Sequence, residues 1–162
     1  MSSKKIKPQK ISLSEFFSAV PAEYSDFVSK IDEAMTKDGY RAKIEKKASG
    51  LTATYSCPKA NKIVFQFYFR KNVLHLYLYL LFFKEYDGFL DNMPSYLVGE
   101  IDKVFNNCAR LFDPTKCNQA CRMGYVFKIN GVEYKKCLFG RISAAVDQES
   151  MKILSVVQKI TI

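Results

Sequence analysis

From Tyr40 to Phe83 the chain repeats with a period of two, and no other feature restricts its fold as strongly. Ile63, Phe65, Phe67 and Phe69 fall on one side of an extended segment, and Leu74, Leu76, Leu78 and Leu80 on one side of the next. A period of two is the side-chain repeat of a strand, because successive Cβ atoms leave opposite faces. Arg70-Lys71-Asn72 joins these two segments as a short hairpin connection. Upstream, Tyr40–Lys47 alternates in part and Ala48-Ser49-Gly50 makes a turn. Leu51, Ala53 and Tyr55 then share one face of Leu51–Ser56, which Pro58–Asn61 ends. Four strands with short turns predict an antiparallel meander. Its aliphatic, phenylalanine-rich face belongs against helices. Its other face carries Tyr68, His75, Tyr77, Tyr79 and Leu81.

Helical spacing flanks the meander. Ser12-x-x-Glu15 fits a capping box before Leu13, Phe16, Phe17 and Val20. Pro21 ends that helix and suits the start of the next, whose stripe is Tyr24, Phe27, Val28, Ile31 and Met35. Asp38-Gly39 is a stop signal. Lys84–Pro94 reads as a loop with a turn at Asp87-Gly88. Ser95 then caps a long helix bearing Leu97, Ile101, Val104, Phe105, Cys108, Leu111 and Phe112, which Asp113-Pro114 stops. Tyr125–Ile129 and Val132–Cys137 flank Asn130-Gly131, a strong hairpin signal. Ile142–Val146 reads as a further strand, and Asp147 as the cap of a last helix with Ile153, Leu154, Val157 and Ile160 on one side.

These segments predict an α+β fold: N-terminal helices, a four-stranded antiparallel meander, a long helix, a cysteine-containing hairpin lobe and a C-terminal helix. Residues 1–10 read as a basic disordered tail and 11–162 as a single domain, with the lobe at 113–140. At 162 residues, 48% of them hydrophobic, the chain has the apolar content for one core without a disulfide framework.

The net charge is +9, of which Lys4, Lys5, Lys7 and Lys10 supply four within the first ten residues. The remaining +5 makes the domain only mildly basic. Residues 11–20 hold three serines and a glutamate, so they lack the unbroken apolar stretch of a secretory leader. The longest apolar run, Val73 to Phe83, falls short of the roughly 20 residues that span a bilayer. A cytoplasmic protein without a membrane partner, its thiols reduced, is the expectation.

Four of the five cysteines, Cys108, Cys117, Cys121 and Cys137, lie within thirty residues. Cys117-x3-Cys121 has a gap from which two thiolates bind one zinc, Cys137 closes the Asn130-Gly131 hairpin, and Cys108 could supply the fourth ligand. Such a closed site would serve folding rather than catalysis. Unliganded reduced cysteines are a second reading, since Cys108 falls on an apolar stripe. A thiol redox pair is the third: Lys116 and Arg122 each flank a cysteine of the pair and would lower its pKa if close. Cys57, alone before Pro58, reads as incidental.

His75 is the only histidine, so hydrolytic metal sites and His-based nucleophilic mechanisms have little to draw on. No GxGxxG or GxxxxGK[ST] motif occurs. Glu85, Asp87 and Asp91 share a loop without EF-hand spacing. No residue is assigned a catalytic role. Tyr68, His75, Tyr77 and Tyr79 are instead the candidate ligand-binding residues, with Arg41, Lys43 and Arg70 reaching the same sheet. Such a face lines a site for a small molecule or a protein partner, or stacks the bases of a nucleic acid held also by the Lys-rich tail. Burial beneath other helices, with the hydroxyls satisfying one another, is the plain structural alternative.

Cys117-x3-Cys121, Gly124-Tyr125-x-Phe127, Asn130-Gly131 and Tyr134-x-x-Cys137 together resemble the C-terminal part of small bacterial α+β proteins with a helix–meander front half and no assigned activity. The resemblance covers residues 95–140 and implies no functional residue. The function expected is a non-enzymatic binding or regulatory domain. Its ligand or partner would lie on the tyrosine face, with a structural zinc in the lobe. Nucleic-acid binding and thiol redox chemistry at Cys117 and Cys121 are the alternatives.

Overall fold

A computed structural model describes residues 9–48, 50–59, 61–85, 90, 93, 95–138 and 140–146. The expected C-terminal helix after Asp147, the Asp87-Gly88 turn and the first eight residues lie outside them.

The elements run in order as β1 (Gln9–Lys10), α1 (Leu13–Ala19), α2 (Ala22–Lys37), β2 (Arg41–Lys47), β3 (Gly50–Cys57), β4 (Lys62–Arg70) and β5 (Val73–Tyr79). Then follow α3 (Leu80–Glu85), α4 (Ser95–Val104), α5 (Ala109–Phe112), a 3-10 turn at Pro114–Lys116, β6 (Gly124–Ile129), β7 (Val132–Cys137) and β8 (Arg141–Ala145). The main sheet is antiparallel with strand order β1-β2-β3-β4-β5-β8, and β6-β7 form a separate two-stranded ribbon. The α+β class and the meander β2–β5 follow the sequence pattern. The sheet is larger than a four-stranded meander. Gln9–Lys10, read as part of a tail, pairs with β2, and β8 adds itself beyond β5.

Local chemistry sets the ends. The Ser12 hydroxyl accepts from the Glu15 N–H while the Glu15 carboxylate accepts from the Ser12 N–H at 2.7 Å, so the capping box forms. Pro21 caps α2, and Gly39 ends it at a φ of +79°, a conformation that costs glycine little. Asn130 and Gly131 take φ values of +49° and +80°, as the tight β6–β7 hairpin requires.

The core lies between one sheet face and helices α1 to α4. Across that face Ala53, Phe67 and Leu76 stand in one row, with Tyr55, Phe65 and Leu78 in the next. Phe67 is the hub: its ring centroid lies 5.9 Å from Phe27, 6.5 Å from Phe16 and 4.9 Å from Phe65. Each such buried side chain stabilises the fold by about 1.5–3 kcal/mol through removal of apolar surface from water.

Two segments depart from their sequence pattern. The strand expected to run to Phe83 stops at Tyr79, and Leu80–Glu85 turns helical. That places Phe82 against Phe65 at 5.9 Å and Phe83 against Phe105 at 6.0 Å. Core packing overrides a strand pattern that an all-apolar run could not specify. The long helix expected over 95–112 breaks after Val104: Asn107 bridges to Lys136 of β7, and Cys108 caps the four-residue α5. Cys108 donates its N–H to the Lys135 carbonyl at 2.9 Å, and Asn106 accepts from the Cys137 N–H at 3.0 Å. The ribbon thus takes the hydrogen bonds that a continuous helix would have used. Lys136, buried, anchors it further, with Nζ 2.8 Å from Asp102 Oδ1 and 2.9 Å from Asn107 Oδ1.

Candidate functional site

The second face of the main sheet is built in rows. Glu45, Thr52, Tyr68, His75 and Ala145 occupy one row, and Lys43, Thr54, Gln66, Tyr77 and Ser143 the next. Tyr79 stands opposite Arg141. All four sequence-predicted binding residues therefore share one face and one neighbourhood. The Tyr68 ring lies 6.5 Å from that of His75 and 5.8 Å from that of Tyr77, nearly parallel to the latter at 30°. Tyr68, His75, Tyr77 and Tyr79 are half-buried, while Thr52, Thr54 and Gln66 beneath them are buried.

Arg141 was not legible as part of this face. Its guanidinium carbon sits 4.1 Å from the Tyr77 ring centroid, and its Nη1 donates to the Tyr79 hydroxyl at 3.4 Å. Tyr79 donates in turn to Gln66 Oε1 at 3.5 Å. A guanidinium stacked on an aromatic face keeps its N–H edges in a fixed plane, the geometry that receives a carboxylate or phosphate on two donors. Only the β5–β8 register brings Arg141 here, and no local signal in residues 138–146 announces it.

The basic residues expected on the sheet are arranged differently. Lys43 and Lys47 both pair with the buried Glu45, at 2.9 and 3.4 Å. Glu45 is held below the usual carboxylate range, chiefly by the Lys43 hydrogen bond. Arg41 and Arg70 are exposed on β2 and β4. Arg141 is a cation that stacks directly on one of these rings, that of Tyr77.

Beyond Tyr79 the face opens into an apolar pocket of about 290 Å³ lined by Lys62, Ile63, Tyr79, Leu81, Met123 and Leu138. A register irregularity makes room for it. Tyr55 pairs with Phe65, yet Ser56 pairs with Ile63, so β4 carries an extra residue at Val64. Such a bulge turns the following side chain to the opposite face. Ile63, expected with Phe65 and Phe67 in the core, stands instead on the tyrosine face. The ribbon supplies the far wall: the Met123 carbonyl accepts from the Leu138 N–H at 2.6 Å, and Lys62 Nζ lies 3.0 Å from Met123 Sδ.

The cysteines converge only in part. The Cys121 N–H donates to the Asn118 carbonyl at 2.9 Å, and Asn118 Oδ1 accepts from the Ala120 N–H at 2.8 Å, closing a turn. That turn sets the Cys117 and Cys121 thiols near enough to influence each other. Cys108 is buried, its sulfur packed where a side chain on Gly124 would stand, and Cys137 pairs with Gly124 across the ribbon. Among the described residues no three Cys, His, Asp or Glu side chains are grouped to hold a metal ion.

At Cys117, beside Lys116, the direction of the pKa shift is opposite to the lowering expected for an activated thiol. Burial and the neighbouring Cys121 push the Cys117 thiol up from its ordinary value. Lys116 Nζ reaches Asp113 at 3.8 Å. Cys57 is buried at the end of β3.

No helix among the described residues is long and apolar enough to cross a membrane. Comparison with known protein families, with curated proteins and with solved structures gave no match.

Proposed function

We propose that this chain is a non-enzymatic binding domain whose tyrosine face takes a small amphipathic anion. The acidic group sits on the N–H edge of Arg141, and the apolar part enters the pocket between Ile63, Leu81, Met123 and Leu138. The observation that carries this reading is the Arg141 guanidinium, stacked on Tyr77, bonded to Tyr79 and adjoining an apolar pocket. The pocket is near the lower end of small-molecule sites, which run from about 300 Å³. A few oriented polar groups beside apolar walls are the composition such sites share. The face offers stacking and charge. Its one histidine neighbours the Tyr68 ring rather than a nucleophile. The nucleic-acid reading draws less support, because Lys43 and Lys47 are already paired with Glu45.

The test is titration of the protein with anilinonaphthalene sulfonate, followed by competition with alkyl carboxylates of increasing chain length. The expected result is saturable one-site binding, weakened about tenfold in Arg141→Ala, which corresponds to about 1.4 kcal/mol. Competition should strengthen with chain length until the pocket is full. Binding that never saturates, or that Arg141→Ala leaves unchanged, overturns the reading. Tighter, steeply salt-dependent binding of a single-stranded oligonucleotide would favour the nucleic-acid alternative instead.

A further inference from the structure

The Cys117–Cys121 turn has a property separate from the ligand face. Its two thiols flank one closed turn, four residues apart in the chain. Asn118 closes the turn with both its backbone and side-chain oxygens, and the Arg110 guanidinium bonds the Cys121 carbonyl. On the N-terminal side Asp113 caps the 3-10 turn, with Oδ1 accepting from the Thr115 N–H at 3.0 Å. On the C-terminal side Met123 is tied to Leu138. These contacts fix the backbone on both sides of the pair. Both thiols are half-buried and so reach solvent, whereas Cys57 and Cys108 are buried.

We propose that Cys117 and Cys121 are a reversible oxidation site, closing to an intramolecular disulfide by exchange with a low-molecular-weight disulfide. One cysteine, as thiolate, attacks a sulfur of the small disulfide and expels one thiolate, leaving a mixed disulfide on the protein. The other cysteine, losing its proton, attacks the protein-side sulfur of that mixed disulfide. The Cys117 Sγ–Cys121 Sγ bond forms and the second small thiolate leaves. The two cysteine protons pass to the two leaving thiolates. The protein dithiol is oxidised by two electrons, and the small disulfide is reduced to two thiols. Because both cysteines belong to one closed turn, the second step is intramolecular and fast, so the mixed disulfide does not accumulate.

The experiment uses the full chain, reduced and desalted in the presence of a chelator, then incubated with oxidised glutathione. Intact mass and peptide mapping after alkylation give the readout. The expected product has lost the mass of two hydrogens, retains no glutathione, maps to a Cys117–Cys121 link, and returns to the dithiol with reductant. Cys121→Ser should instead hold a stable glutathione adduct at Cys117, and Cys117→Ser one at Cys121. Circular dichroism confirms that both variants are folded. A wild-type protein that accumulates the glutathione adduct overturns the proposal. So does one that links a different pair, or one that stays unreacted while dithiothreitol oxidises fully under the same conditions.

Discussion

The Tyr55 hydroxyl donates to Asp32 Oδ1 across 2.7 Å, joining a fully buried residue of β3 to the flank of α2. Burial and the carboxylate together push the phenol well above its ordinary pKa, so it remains a donor throughout the range in which the protein is handled. Tyr55→Phe keeps the ring contacts with Phe65 and Phe67 and removes only this bond. The expected loss is about 1.5 kcal/mol, the low end for a hydrogen bond to a charged group, because Asp32 is half-exposed and water can replace the donor. Urea unfolding of Tyr55→Phe, Asp32→Ala and the double variant measures the coupling. A double variant that loses the full sum of the two single losses would mean that the bond contributes nothing.

Glu45 gives stability a pH dependence. Its folded pKa is depressed, chiefly by Lys43, so its contribution is present above the ordinary carboxylate value and disappears as pH falls through the folded value. Glu45→Gln is therefore less stable than the parent at neutral pH, and the two converge in acid. Melting temperatures of both proteins from pH 7 downward check this. A constant gap across the range would assign the loss to packing rather than charge.

Gly50 opens β3 at a φ of +142°, where a Cβ would land on the Phe69 carbonyl oxygen. The obstacle is backbone, so no rotamer relieves it. Gly50→Ala is expected to cost about 2–3 kcal/mol, through strain and displacement of the β3–β4 pairing. Chemical denaturation gives the number, and a loss below about 0.5 kcal/mol, the usual range for an uneventful surface change, would contradict the geometry.

Because no three metal-ligating side chains are grouped among the described residues, chelation should leave the fold intact. Dialysis against a strong chelator is expected to shift the melting temperature by less than the scatter between repeat scans, with no stoichiometric zinc found in the untreated protein. A large drop, restored by zinc, would show that the four cysteines rearrange into the cage that their spacing suggests.

The legible parts of the fold were those governed by local rules. The Ser12–Glu15 box, the Gly39 stop and the Asn130-Gly131 hairpin each act within a few residues, and each appears where expected. The period of two placed Tyr68, His75, Tyr77 and Tyr79 on one face. What the pattern missed depends on distant partners. Val64 adds its extra residue only relative to β3, so Ile63 looked like core. Leu80–Phe83 are apolar in every position, so a strand and a buried helix were indistinguishable there. Cys108 fits a helical stripe, but β7 offers its neighbours hydrogen bonds that the helix could not match. Arg141 entered the site through a strand pairing that only the folded chain displays.

That pairing has a kinetic consequence. Strands β2 to β5 pair with their immediate neighbours in the chain, so their hairpins close small loops and form early. The β5–β8 register joins His75 to Ala145, and the chain between them includes α4 and the entire ribbon. Closing so long a loop is entropically expensive, and its contacts are the most non-local in the sheet. Docking of β8 is therefore expected to come late in assembly. Until it happens, Tyr77 and Tyr79 lack their guanidinium, so a chain that has collapsed but not finished folding presents the aromatic surface without the charge that completes it.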